Sequence, residues 1–176
     1  MPYAPLVVQD YDPAWPRMYA ATEAAILRAI GDQVAAIAHV GSTAVPGLAA
    51  KPLIDVLVAL RRFPADIALV REPLAGIGFA SVPKPWPDRY FFRRGPWGHG
   101  THHLHVVAPD GEDWTRQLRF RDYLRAHPAD AARYAALKRD LAATFRTDRG
   151  GYTAAKGAFI AAILAAAREQ HQGGPG

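Results

Sequence analysis

The chain has 176 residues, 50% of them hydrophobic, with 21 Lys and Arg against 16 Asp and Glu for a formal net charge of +5. That length suits one domain with a buried core, and so small an excess of positive charge excludes a histone-like, polybasic protein while pointing to an anionic partner. Cysteine is absent, which excludes disulfide frameworks, cysteine-ligated zinc and thiol nucleophiles and leaves His, Asp and Glu as metal ligands.

Residues 3–10 read as a short extended segment. Asp12 and Pro13 have the chemistry of an N-cap and a first helical residue, opening a helix to Ile30 with Trp15, Met18, Tyr19, Thr22, Ile26 and Ile30 on one stripe. Val34–Val40 reads as a strand. Residues 41–52 form a loop of small residues. Leu53–Leu60 is apolar except for Asp55, as in a strand buried on both faces. A helix from Phe63-Pro64 to Gly76 follows, then a short strand over Phe79–Val82 and a Pro-rich turn over 83–87. Strands over Arg89–Arg94 and Thr101–Val107 flank a Gly-rich loop. Beyond Glu112 the pattern is helical, with helices at about 113–126, 128–145 and 152–170. Strands and helices mixed first, helices alone last, describe an α+β fold: a mixed β-sheet with flanking helices and a helical C-terminal bundle. Residues 1–171 are expected to form a single domain and 172–176 a disordered tail.

The apolar runs at 53–60 and 158–167 are too short or too rich in Ala to read as bilayer spans. No basic stretch followed by an apolar one marks a signal peptide. A cytoplasmic location is expected, with no membrane partner.

The residues that carry chemistry begin at His39-Val40-Gly41-Ser42-Thr43. Gly41 lets backbone approach a ligand closely, and Ser42 and Thr43 offer hydroxyls at a helical turn, the ingredients of a phosphate cradle. Taken alone, Gly41-Ser42 reads as a tight turn with a helix cap, and it is the spacing to Asp55 that adds meaning. Lys51 adds a point charge. Asp55 in an apolar strand is costly unless it is paired or holds a metal. Strand alternation puts His103 and His105 on one face, where they can share a metal or act as acid and base. Arg93 and Arg94 are placed to clamp a phosphate or carboxylate. Tyr152 and Lys156 lie one helical turn apart and can face the same cleft. Lys84, Arg116, Arg119, Arg121, Arg125, Arg133, Lys138 and Arg139 read as a mostly solvated basic surface. Trp86, Trp97 and Trp114 can shape a pocket or simply pack. No Walker A, G-x-S-x-G or complete dinucleotide motif is present, and no nucleic-acid module either.

Gly41-Ser42 followed by Asp55 resembles the Gly-Ser…Asp-x-Asp signature of the nucleotidyltransferase superfamily, the polymerase-β-like fold. Aligned so, Asp55 takes the second Asp and Leu53 stands where the first should be. A closer resemblance is to the GrpB family. It is carried in order by residues 39–43, 45–55, 101–107, 120–125, 134–138 and 152–156. The resemblance implies a nucleotidyltransferase-like sheet, with a cleft floored by Asp55, His103 and His105. It also implies a nucleotide or other phosphorylated small molecule as partner, and a divalent metal, Mg²⁺ or a transition metal. Asp55, His103 and His105 are the expected metal ligands and catalytic groups. Gly41, Ser42, Thr43, Lys51, Arg93, Arg94, Tyr152 and Lys156 are the expected phosphate contacts. The expected activity is transfer of a nucleotidyl or related group. Leu53, which cannot ligate a metal, leaves two alternatives: an inactive nucleotide- or cofactor-binding module, and a repurposed metal-dependent enzyme. Nucleic acid is not an expected partner, and the oligomeric state is left open.

Overall fold

The apolar run after Pro52 forms the strand on which the fold is built. The computed structural model describes residues 5–83, 86, 88–96 and 99–172. Its strands are β1 (Val34–Val40), β2 (Ile54–Leu60), β3 (Phe79–Val82), β4 (Arg89–Arg94) and β5 (His102–Val107). Its helices are α1 (Trp15–Ile30), α2 (Ile67–Gly76), α3 (Glu112–Ala126), α4 (Pro128–Phe145), α5 (Arg149–Ala155) and α6 (Gly157–Gln172). The sheet order is β1-β2-β5-β4-β3. β2 and β5 run parallel, and the other neighbours are antiparallel. The expected mixed sheet and α+β class are what the structure shows.

β2 is buried on both faces because each is covered by helices. Ile54, Val56 and Val58 pack with Phe92, Leu104 and Val106 against Trp15, Ile26 and Ile30 of α1 and Val70 and Leu74 of α2. On the other face Val40, Leu57 and Val107 meet Trp114 and Leu118 of α3. Each such aliphatic side chain contributes about 1.5–3 kcal/mol on burial. The C-terminal helices extend that second layer: Leu124, Tyr134 and Ile163 close over Val45, Leu48 and Ala49. The loop after β1 is thereby held between the sheet and the C-terminal helices.

Several boundaries differ from those the sequence suggests. α1 starts at Trp15, with Pro16 in its first turn. Asp12 instead turns the chain, its Oδ1 accepting from Ala14 N at 2.8 Å. Met18 is 40% exposed and lies off the buried stripe. α2 starts at Ile67, because Phe63 is drawn onto the Tyr90 ring and residues 61–66 run as turns. β2 starts at Ile54 and β5 at His102, one residue later than expected in each case. The last predicted helix begins earlier, at Arg149, where the Asp148 side chain accepts from Gly151 N, and it breaks at Lys156. The combined run Arg149–Gln170 contains an 18-residue window with a mean hydropathy of 1.3 and is long and apolar enough by length and composition to cross a bilayer. That corrects the expectation that no stretch qualifies, although Tyr152, Ile163 and Ala167 on it are buried inside the protein. The readings placed on residues 1–4, 84, 85, 87, 97, 98 and 173–176 lie outside the described residues, and Gln172, expected in the tail, ends α6 instead.

Candidate functional site

Register assembles the site. Asp55 pairs with His103 across the parallel β2–β5 ladder. Residues two apart on a strand share a face, so Asp55, His103 and His105 emerge together on the side toward α3. Asp55 Oδ1 stands 3.2 Å from His103 Nδ1 and 3.9 Å from His105 Nε2. Phe91, opposite His105 on β4, lies against both imidazoles, with ring centroids 4.9 and 5.1 Å away. Burial pushes the Asp55 carboxyl up, but hydrogen bonds from His103 and His105 outweigh it and hold the group below the usual carboxylate range. Burial lowers His105, against the opposing pull of Asp55.

The loop after β1 brings backbone onto that carboxylate. Gly41 has φ +73° and ψ −173°, a region essentially confined to glycine. A Cβ there would collide with Asp55 Oδ2 and lie 3.0 Å from the Asp55 Cβ and Cγ. Ser42–Ala44 forms a short 3₁₀ turn. Thr43 is 1% exposed. Its hydroxyl donates to the Leu53 carbonyl at 3.1 Å and meets His39 Nε2 at 3.0 Å, so it braces the loop. Cations from the C-terminal helices tie the same loop down. Arg121 Nη1 donates to the His39 carbonyl, Arg125 donates twice to that of Ala44, and Lys138 donates to that of Ala49. The expectation that these three are solvated surface charges is corrected: they donate to backbone carbonyls at the end of β1 and in the loop that follows it.

A cavity of about 420 Å³ opens above Asp55. His103 and His105 share its floor, with Gly41, Ser42, Thr43 and Leu53 at one side. Lys51, Lys138 and Lys156 also line it, with Tyr134 and Tyr152. The Lys51 and Lys156 ammonium groups lie 4.8 and 4.3 Å from the centre of the Tyr152 ring, and that of Lys138 lies 4.6 Å from the Tyr134 ring. Burial, then repulsion from Lys156, Lys51 and Arg139, brings Lys138 down to about 7. Burial and Lys51 bring Lys156 down to about 8, with Asp55 opposing. Burial also lowers Lys51. Lys138 and Tyr134, with Arg89 and with Arg116 (expected on the solvated surface), are site residues that sequence reasoning passed over; for the first two a signal existed. The available signal was their i, i+4 spacing, the same as that of Tyr152 and Lys156.

Arg89 and Arg116 complete the basic wall. Both are fixed by the buried Asp113, whose Oδ2 accepts from Arg89 Nη1 at 3.0 Å and whose Oδ1 accepts from Arg116 Nη2 at 2.6 Å. Gln117 donates to it as well. Asp113→Ala strands a buried guanidinium, because Arg89 is only 13% exposed. It is expected to lose about 3 kcal/mol, measured by urea unfolding. A loss under about 1 kcal/mol would show that Arg89 finds solvent or another partner.

Two expected contacts are not brought in. Arg94 points to the opposite face of the sheet, pairing with His102 and donating to Thr22 Oγ1 at 3.0 Å. Burial, then Arg94, lowers His102 to about 4. Arg93 faces the site's side by its register with His103, yet donates to the Gly95 carbonyl at 2.9 Å and does not line the cavity. Odd and even positions of one strand face opposite ways, so adjacent arginines cannot both clamp one ligand.

The Asp55, His103 and His105 donor atoms all lie within 4.8 Å of one another. Donors of one ion bound at about 2.1 Å sit roughly 3–3.5 Å apart, so the Asp55–His103 spacing already suits a shared ion and His105 needs a small rotation. One carboxylate with two imidazoles suits a divalent transition metal better than Mg²⁺, which prefers oxygen. His105 Nδ1 is buried with no hydrogen-bond partner among the described residues, so only its Nε2 faces Asp55.

The family model described as GrpB protein matches residues 5–166. The chain is 46% identical over 157 residues to UPF0157 protein PA4798 of Pseudomonas aeruginosa, across 87% of this chain and 64% of that protein's length. The crystal structure of GrpB from Enterococcus faecalis superposes with a TM-score of 0.87 at 33% identity, over 94% of this chain and 99% of that one. The Cid1 poly(U) polymerase, in a structure bound to MgATP, superposes with a TM-score of 0.51 at 14% identity. That match covers 74% of this chain and 42% of the polymerase, and it shows a shared nucleotidyltransferase-type fold.

Proposed function

We propose that this chain, which belongs to the GrpB family, binds a nucleotide or another phosphate-bearing ligand over Asp55 and transfers a nucleotidyl or related group. The observation that carries this reading is one cavity with a carboxylate–imidazole floor and three lysines on its walls. One buried and two half-buried lysines that repel one another favour a polyanion, which restores their charge and offsets the repulsion. Asp55, His103 and His105 would hold the divalent metal, which would neutralise phosphate charge when bound. Ser42 and the backbone beside Gly41 face the same space and can hydrogen-bond phosphate oxygens. Lys51, Lys138 and Lys156 supply fixed positive charge where a leaving polyphosphate gathers negative charge. Leu53, lining the cavity beside Asp55, favours a second reading, a module that binds such a ligand without turning it over. Single-turnover assays with labelled nucleotides separate the two: release of pyrophosphate supports transfer, and binding without release supports the module.

The lysines give the binding a direction with pH. Lys138 falls to about 7 and Lys156 to about 8, so both lose charge as pH rises past neutrality. Pyrophosphate affinity, measured by calorimetry from about pH 6 to about pH 9, is expected to fall at least tenfold, since each lost charge–phosphate contact is worth about 1.5–3 kcal/mol. Stability of the ligand-free protein runs the other way. From about pH 7 to the ordinary lysine value near 10.4, the unfolded chain holds a proton at position 138 that the folded one has lost. Stability therefore rises with pH across that window. Lys138→Met removes that share of the slope and weakens pyrophosphate binding below pH 7. An unchanged profile in the variant would remove Lys138 from the site.

A further inference from the structure

A second, smaller cavity of about 180 Å³ lies between α3 and α6, lined by Glu112, Thr115, Arg116 and Arg119 from the first and Leu164 and Arg168 from the second. The α3 residues follow an i, i+3, i+4, i+7 series and the α6 pair is i, i+4, so each helix turns one face toward it. Arg116 and Leu164 also line the larger cavity, so the two spaces share a wall. Arg116 is anchored through Asp113. Arg119, Arg168 and Glu112 make no ion pair within 4 Å among the described residues. With Arg116 paired to Asp113, Arg119 and Arg168 against Glu112 leave the cavity one charge positive. Its volume suits a single oxyanion group rather than a nucleotide.

We propose that this cavity binds an oxyanion, the carboxylate or phosphate of a second substrate whose other end reaches the larger cavity past Arg116. Guanidinium groups bind both oxyanions through paired N–H donors, and neutralisation relieves the repulsion among three like charges on two packed helices. Glu112 at the rim disfavours a longer polyanion. The identity of the ligand as a second substrate rests on the proposed function; the oxyanion site itself does not.

Amide NMR of the ¹⁵N-labelled 19.1 kDa protein reads each cavity separately. Orthophosphate and acetate are titrated in separate arms. The Thr115, Arg119 and Arg168 amides are expected to shift saturably, and the arm that saturates at lower concentration identifies the oxyanion. In the double variant Arg119→Gln, Arg168→Gln, affinity read at Thr115 is expected to fall roughly tenfold or more, while phosphate shifts at Ser42 and Lys51 stay unchanged. Shifts confined to residues 41–51, or the same affinity at Thr115 in the variant, would overturn the proposal. Shifts at Thr115 and Arg168 with none at Ser42 or Lys51 would support it while removing the proposed function of the larger cavity.

Discussion

Replacing Asp55 by Asn is expected to lower affinity for a divalent transition metal by more than about 100-fold. Losing a group that only orients a metal ligand already costs 10–100-fold, and among the described residues Asp55 is the carboxylate grouped with His103 and His105. The amide keeps the shape of the side chain, so the loss reports donor chemistry and not packing. The metal-free variant is expected to melt below the parent, since Asn sheds the burial cost of a charge but weakens the imidazole–carboxylate hydrogen bonds that outweigh it. Metal-dependent stabilisation should disappear, because an ion that binds only the folded state stabilises in proportion to its affinity. Equilibrium dialysis and thermal unfolding with and without Mn²⁺ or Zn²⁺ check both statements. Equal metal affinity in the parent and the variant would show that Asp55 is a structural partner of the histidines and no ligand.

The second large effect concerns Gly41. Any other residue there must adopt a backbone conformation that costs about 1–3 kcal/mol, and its Cβ collides with the Asp55 carboxylate, adding about 1–3 kcal/mol of overpacking. Gly41→Ala is therefore expected to lose roughly 2–6 kcal/mol by urea unfolding and to lose metal binding through displacement of Asp55. Gly47 supplies the control. Its φ is also positive, at +76°, but nothing lies within 4 Å of a Cβ built there. Gly47→Ala should show the backbone strain alone, about 1–2 kcal/mol, with metal binding intact. Matching losses in the two variants would show that the approach to Asp55 contributes nothing.

Much of this arrangement was legible before any coordinates. The apolar run around Asp55 and the alternation of His103 and His105 are period-two signals, and two paired strands turn such signals directly into a shared face. The Gly41-Ser42 turn was legible because only glycine tolerates that backbone. What the sequence concealed lies mainly on the helices. α4 carries alanine on every side, so nothing contrasts a buried face with an exposed one, and Lys138 reads as a surface charge although it is 2% exposed. Arg121 and Arg125 read the same way, since neither shows that its target is a carbonyl some 80 residues back in the chain. The break at Lys156 carries no proline to mark it. Arg94 leaves the site for a different reason: adjacent residues on β4 point to opposite sides of the sheet, so it faces His102 and not the cavity.

Calorimetric titration of pyrophosphate into the protein, first free of metal and then loaded with Mn²⁺ or Zn²⁺, tests whether the floor and the lysine wall form one site. The structure predicts binding in both states, tighter with metal, one ion per chain, and loss of the metal enhancement in Asp55→Asn. Binding that is absent in both states, or identical with and without metal, would contradict a shared metal and phosphate site at Asp55.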